Sequence, residues 1–323
     1  MPLIKKSTFN PPFWFRNNHV STIYPHLIRR MKRIKYQRKR IETPDKDFLD
    51  LDFSKVGGQN LILITHGLEG SSDSGYVKGL VQRANREKWD TVALNLRGCS
   101  GEPNRLYASY HSGKTDDLHT VIEYIRTNET YQKIFLVGFS LGGNLTLKYT
   151  GEQAGNMPKI VAGVVGISVP CQLSKVSAHL NDASNIIYLK RFIRSLKKKA
   201  HAKKNLFPKS EMTKEQINHV KDFADFDGLY TAPAHGFESA EDYWAKCSCR
   251  PFLPKIKTKT LLINAQDDPF MPISSYPFKE AEQSTYFHLE APKHGGHVGF
   301  ARKFNAQKTL WHEDRIIEFL QTS

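Results

Sequence analysis

The chain has 323 residues, 39% of them hydrophobic, and its 47 Lys and Arg against 32 Asp and Glu give a net charge of +15. That length buries a sizeable core as one domain with insertions, and the longest apolar run, 160–169, is about half the roughly 20 residues a bilayer span needs. Cys99, Cys171, Cys247 and Cys249 give neither paired C-x-x-C zinc spacing nor the framework of a secreted disulfide scaffold, and no signal-peptide core follows the first residues, so a cytoplasmic protein is expected.

In chain order, residues 1–45 read as an arm. Its aromatic part, FNPPFWFRNNHVSTIYPHL, is too rich in large apolar rings for a disordered tail and is expected to pack on the body. Its basic part, Arg29 to Arg40, carries eight Lys and Arg, with no acid before Glu42. Strand-type runs follow at Phe48 to Phe53 and Leu61 to Thr65. The second runs into His66-Gly67-Leu68-Glu69-Gly70, where the Leu68 amide is placed to donate a hydrogen bond at a strand end, and His66 reads as a residue that shapes the loop.

A helical stretch from Tyr76 to Glu87 leads to a strand at Thr91 to Leu96 and then to Arg97, which reads as a clamp on the Gly98 to Asn104 loop. His111 reads likewise as a loop organiser. The helix from Thr115 to Arg126 sets Leu118, Val121, Ile122 and Ile125 on one face.

The strand Ile134 to Phe139 stops at Gly138-Phe-Ser-Leu-Gly142 and passes straight into a helical pattern, Leu141 to Gln153. G-x-S-x-G between a strand and a helix holds the serine on a strained turn with its hydroxyl exposed, and the helix start aims free N–H groups at the same place. Ser140 is therefore the candidate nucleophile. The amides of Leu141 and Leu68 are the candidate donors to an oxyanion.

After a strand at Val161 to Ser168, about ninety residues break the alternation with helical patterning, including a second basic cluster, Lys190 to Lys204, and a helix-like segment from Ser239 to Lys246. Residues 171–255 are read as a cap inserted after the sixth core strand. The strand Thr260 to Asn264 then ends in Gln266-Asp267-Asp268-Pro269, and the strand Thr285 to Leu289 leads to His294-Gly-Gly-His-Val-Gly-Phe300.

An acid and then an imidazole at strand ends, after the serine, is the order of the α/β-hydrolases. A hydroxyl needs a neutral imidazole to take its proton, and the imidazole needs a carboxylate to fix its tautomer. His297 is the candidate base; His294 is the alternative base, although it reads more readily as a loop histidine that hydrogen-bonds the turn. Proteins of this order commonly set the acid three residues after a small strand-end residue and four before a proline; Ala265 and Pro272 give Asp268 that spacing. Asp267 stays open, because one residue of slip exchanges the two.

The alternation of strands and helices predicts a single domain over 1–323: a mostly parallel twisted sheet with helices on both faces. The basic clusters read first as solvated faces and, among binding roles, suit an anionic lipid surface best; specific nucleic-acid binding is not expected, because neither cluster lies in a binding module.

Motifs along nearly the whole chain resemble the YheT family of α/β-hydrolases, relatives of eukaryotic α/β-hydrolase-domain proteins that act on esters and phospholipids. The resemblance is carried by Phe9-Asn-Pro-Pro-Phe-Trp, His66-Gly-Leu-Glu-Gly, Asn95-Leu-Arg-Gly-Cys-Ser-Gly-Glu-Pro-Asn104, Tyr110-His-Ser-Gly, Gly138-Phe-Ser-Leu-Gly-Gly-Asn144, Thr231-Ala-Pro, Asn264-Ala-Gln-Asp-Asp-Pro-Phe and the His294 to Phe300 loop. It implies the trio Ser140, Asp267 or Asp268, and His297. It also implies a carboxylic-ester hydrolase that needs neither metal nor cofactor and takes a small-molecule ester. Transfer of the acyl group to another acceptor, or a non-catalytic scaffold docked on anionic membranes, are the competing readings. The extra basic residues are no part of the family pattern, and the oligomeric state is not legible.

Overall fold

The computed structural model describes residues 2–304 and 309–323; Met1, the first residue of the expected arm, and residues 305–308 lie outside the description. Among the described residues nine strands form one sheet in the order β1-β9-β8-β7-β6-β4-β5-β3-β2. In chain order they are β1 (Leu3–Ile4), β2 (Gln37–Glu42), β3 (Phe48–Ser54), β4 (Asn60–Thr65), β5 (Asp90–Asn95), β6 (Lys133–Phe139), β7 (Val161–Ile167), β8 (Thr260–Ile263) and β9 (Phe287–Glu290). All pairings are parallel except the two made by β3.

The helices are α1 (Asn18–Leu27), α2 (Gly75–Arg86), α3 (Thr115–Asn128), α4 (Leu141–Gln153), α5 (Leu173–Leu180), α6 (Ile186–Leu206), α7 (Lys214–His219), α8 (Phe223–Phe226), α9 (Ala232–His235), α10 (Ala240–Cys247), α11 (Phe278–Glu282) and α12 (Trp311–Gln321). The apolar strands alternate between two cores. Leu61 and Leu63 of β4 pack with Leu118, Val121 and Ile122 of α3, while Ile62 and Ile64 pack with Val77, Leu80 and Val81 of α2 and with Ile316 and Ile317 of α12. A strand buried on both faces reads as a continuous apolar run, which is why β4, β6 and β7 are visible in the sequence.

Residues 1–45 supply a strand at each edge of this sheet. β1 pairs with β9, and β2 pairs with β3. The basic run hides β2 because its partners lie on another strand. The register sets Arg38 opposite Asp52 and Arg40 opposite Asp50, and both guanidiniums grip their carboxylates with paired bonds of 2.7 and 2.8 Å respectively. Burial alone would raise the Asp52 carboxyl, but bonds from Arg38, Ser72 and Asn95 hold it below its usual value.

The strand before the long helical segment, β7, is the sixth when the count starts at β2, a strand absent from the runs read in the sequence. That segment runs through α5 to α10 and rejoins the sheet at β8. Among the described residues no helix is long and apolar enough to cross a membrane, and the four cysteines are unpaired.

Candidate active site

β6 is buried from Ile134 to Phe139 and reverses within one residue, where Ser140 takes φ 51° and ψ −121°. Such a conformation costs a residue with a side chain on the order of 1–3 kcal/mol. It is held by the Ser140 N–H, which donates to Ile167 O at 2.8 Å, and by Asn144 N–H, which donates to Ser140 O at 3.0 Å. The turn is too tight for side chains at its flanks. A Cβ on Gly138 would strike Gly142 O, and one on Gly142 would strike the carbonyls of Thr65 and His66.

The two candidate acids follow the end of β8. Asn264 accepts from Val169 N–H at 2.8 Å and donates to Val169 O at 3.1 Å, which stitches the ends of β7 and β8 together. The chain then turns, and the two candidate aspartates diverge. Asp268 is buried; its Oδ1 accepts from Phe270 N–H at 2.9 Å, and its Oδ2 lies 2.8 Å from His297 Nδ1. Asp267 instead accepts from Gly296 N–H at 2.9 Å and lies 3.3 Å from His294 Nδ1. Burial raises the Asp267 carboxyl above its usual value, against the pull of those two partners.

Thr22 Oγ1 of α1 accepts from His297 N–H, and Ser168 Oγ accepts from Val298 N–H, each at 2.9 Å, while the Phe270 ring packs on the imidazole at 4.2 Å between centroids. With Nδ1 donating to Asp268, Nε2 is left as the acceptor for the Ser140 hydroxyl, 3.0 Å away. Ser140, Asp268 and His297 thus form one hydrogen-bonded chain, and Asp267 does not join it.

Leu68 and Leu141 line the cavity beside Ser140 and His297, and among the described residues neither of their amides has a partner. The turn bearing Leu68 is fixed by its neighbours. Tyr76 Oη accepts from Gly67 N–H at 2.9 Å. His66 donates from Nδ1 to Gly67 O at 2.8 Å and accepts at Nε2 from Leu96 N–H at 3.1 Å. Burial pushes the His66 imidazole down to about 4, which suits a neutral ring holding the loop. Arg97 is clamped by Asp117 through bonds of 2.6 and 2.8 Å and also reaches Asp45 and Asp47, and Asp47 in turn accepts from Asn104 at 2.6 Å. His111 accepts from Gly113 N–H at 3.2 Å. Both organise loops, as their sequence context suggests.

The cavity measures about 450 Å³. From the Ser140 end it extends between Leu173 and Val176 of α5, Phe192 of α6, Phe226 and Met271.

The sequence pattern described as alpha/beta hydrolase fold matches residues 60–301. YheT of Escherichia coli (strain K12) is 35% identical over 319 residues, which cover 97% of this chain and 93% of that protein. The chain belongs to the YheT family of α/β-hydrolase-fold proteins. Human phospholipase ABHD3 is 24% identical over 324 residues, covering 97% of this chain and 78% of that protein. Among solved structures, an esterase of Pyrococcus furiosus, Pf2001, superposes with a TM-score of 0.61 at 16% identity, covering 90% of this chain and 91% of that one.

In this YheT-family site several residues escape reasoning from sequence. Thr22 sits in the arm, 275 positions from the imidazole loop it holds, and no local pattern marks it. Asn144 donates to Ser112 O and Cys247 O and accepts from Cys249 N–H, tying α4 to the helical segment. Glu69 accepts from Tyr110 Oη and Ser195 Oγ, each at 2.7 Å, and from Lys199 Nζ at 2.8 Å. Burial alone would raise the Glu69 carboxyl; those donors, led by the Lys199 charge, hold it below its usual value. Asn144, Asn264 and Glu69 lie inside the motifs quoted above, and that was their only signal.

Proposed function

We propose that the chain is a serine hydrolase that cleaves a carboxylic ester, lipid-like in its acyl part, through an acyl-enzyme intermediate. In this reading Ser140 Oγ attacks the ester carbonyl as His297 Nε2 takes its proton. Asp268 stabilises the imidazolium that forms, and the Leu68 and Leu141 amides bind the oxyanion. The imidazolium returns the proton to the leaving alcohol. Water activated by the same imidazole then releases the acid.

The observation that carries this reading is the position of one imidazole within hydrogen-bond reach of both a strained serine and a buried aspartate. The apolar cavity beside it and the similarity to a phospholipase support an acyl chain as the part bound. We assign residues 171–255 as a cap, since α5 and α6 wall that cavity and would exclude water from it. Peripheral contact with anionic lipid belongs to the same reading, and the unpaired thiols fit a reducing cytoplasm.

Turnover of nitrophenyl esters of increasing chain length, with a lysophospholipid beside them, tests it. The expected result is hydrolysis that improves as the chain lengthens and disappears in Ser140→Ala. No turnover of any ester by folded protein would overturn the reading, and products diverted to an added alcohol would mark acyl transfer instead.

A further inference from the structure

Two stretches of this chain contain no acidic residue, 1–41 and 183–210, and they fold against each other. His19 Nδ1 of α1 lies 2.9 Å from Tyr188 Oη of α6 with the rings stacked, and His26 Nε2 meets the Arg191 guanidinium. The two contacts bracket Ile23. Val20, Ile23 and Leu27 recur on α1 at helical spacing and face outward. Around this stripe Phe13 is 74% exposed, Trp14 63%, Leu27 71% and Ile187 76%. A cluster of large apolar side chains left bare in this way marks an interaction site.

The basic residues sort by partner. On β2, Arg38, Lys39 and Arg40 are neutralised by Asp52, Glu129 and Asp50 at 2.7 to 2.8 Å. They belong to the sheet. By contrast Arg30, Lys32 and Arg33 after α1, and Lys190, Arg191 and Arg194 on α6, have no carboxylate within ion-pair distance among the described residues. The face therefore combines bare aromatic and aliphatic groups with uncompensated positive charge.

The inner sides of the same helices reach the site. Thr22 of α1 holds the His297 loop, and Phe192, Ser195 and Lys199 of α6 line the cavity.

We propose that the outer face of α1 and α6 docks on a bilayer of anionic phospholipids. Lys and Arg meet the negative surface while Phe13, Trp14, Leu27 and Ile187 enter the boundary between headgroups and acyl chains. A second copy of the chain is a poor occupant, because a two-fold contact through this face would set like charges against each other. Nucleic acid would satisfy the cations and leave the apolar groups with nothing to bury them. The docking needs no assumption about the ester; its purpose, delivery of a lipid ester to the cavity, rests on the proposed function.

Sedimentation of the full chain with phosphatidylglycerol vesicles, and with phosphatidylcholine vesicles as the neutral control, tests the proposal. Binding should favour the anionic vesicles and weaken as salt rises. The triple reversal Lys190→Glu/Arg191→Glu/Arg194→Glu should reduce it on the order of a hundredfold, at about fivefold per basic residue removed. Trp14→Ser/Leu27→Ser/Ile187→Ser should reduce binding with the charges intact, and wild-type Trp14 emission should shift to the blue on vesicles. Both surface variants should hydrolyse a soluble short-chain ester at the wild-type rate, while Ser140→Ala should bind vesicles normally and hydrolyse nothing. The two readings thus fail separately. Equal binding to both vesicle types, undiminished binding by either surface variant, or binding of duplex DNA or self-association in place of vesicles would overturn the proposal.

Discussion

Lys199 Nζ lies 2.8 Å from Glu69 Oε1, a bond that joins the middle of α6 to the turn carrying the Leu68 amide. Glu69 has φ 55°, so this turn is strained, and its carboxylate is the anchor that holds it. Glu69→Gln should leave the protein folded, with KM little changed and kcat down about tenfold to a hundredfold, since a displaced oxyanion donor acts on the transition state. Lys199→Met should act through the same turn. Steady-state kinetics of the double variant should then match the worse single variant; full additivity would mean two separate effects.

The two aspartates are predicted to differ. Asp268→Asn turns the donor relationship with His297 around and should lower kcat by about 10⁴. Asp267→Asn alters the bonds to the Gly296 amide and His294 and should leave kcat within about tenfold while lowering stability by about 1–2 kcal/mol. Parallel kinetic and denaturation measurements on the two variants separate the roles; a larger kinetic loss at Asp267 would reverse the assignment.

Gly142→Ala should be damaging despite its small size. The added methyl meets backbone carbonyls of Thr65 and His66, which cannot swing aside as a side chain would. Overpacking of this kind costs about 1–3 kcal/mol and would push the Leu68 turn away from Ser140. The expected outcome is a lower midpoint in urea together with a lower kcat.

Asp227, in a π-helical turn on the cavity wall, gives a pH signature of stability. Burial raises its carboxyl from 3.8 to about 6, despite bonds from Thr231 and Trp244. Between those values the folded protein keeps a proton that the unfolded chain has released, so this group makes stability fall as pH rises through that window. The full effect is at most about 3 kcal/mol. Urea unfolding across that range should show Asp227→Asn lacking the decline, and identical slopes in the two proteins would contradict it.

How far the sequence speaks depends on where a residue's partners lie. β4, β6 and β7 are legible because burial on both faces writes an unbroken apolar run, and Ser140 is legible because its strained turn demands glycines within two positions. Spacing to Ala265 and Pro272 favours Asp268 but leaves Asp267 open, because a slip of one residue in a loop writes no pattern; in the structure it is Asp268 that lies against His297 Nδ1, and Asp267 lies beside His294. β2 is illegible: QRKRIE is a strand only because Asp50 and Asp52 wait across the register. Thr22 and Lys199 are illegible for the same reason, since each acts on a group far away in the chain.

The most direct measurement is the intact mass of the protein after reaction with a fluorophosphonate, followed by peptide mapping. A single adduct should appear on Ser140, vanish in Ser140→Ala, and form far more slowly in His297→Ala. A folded wild-type protein that gains no adduct, or an adduct that survives in Ser140→Ala, would contradict the assignment of that hydroxyl as the nucleophile.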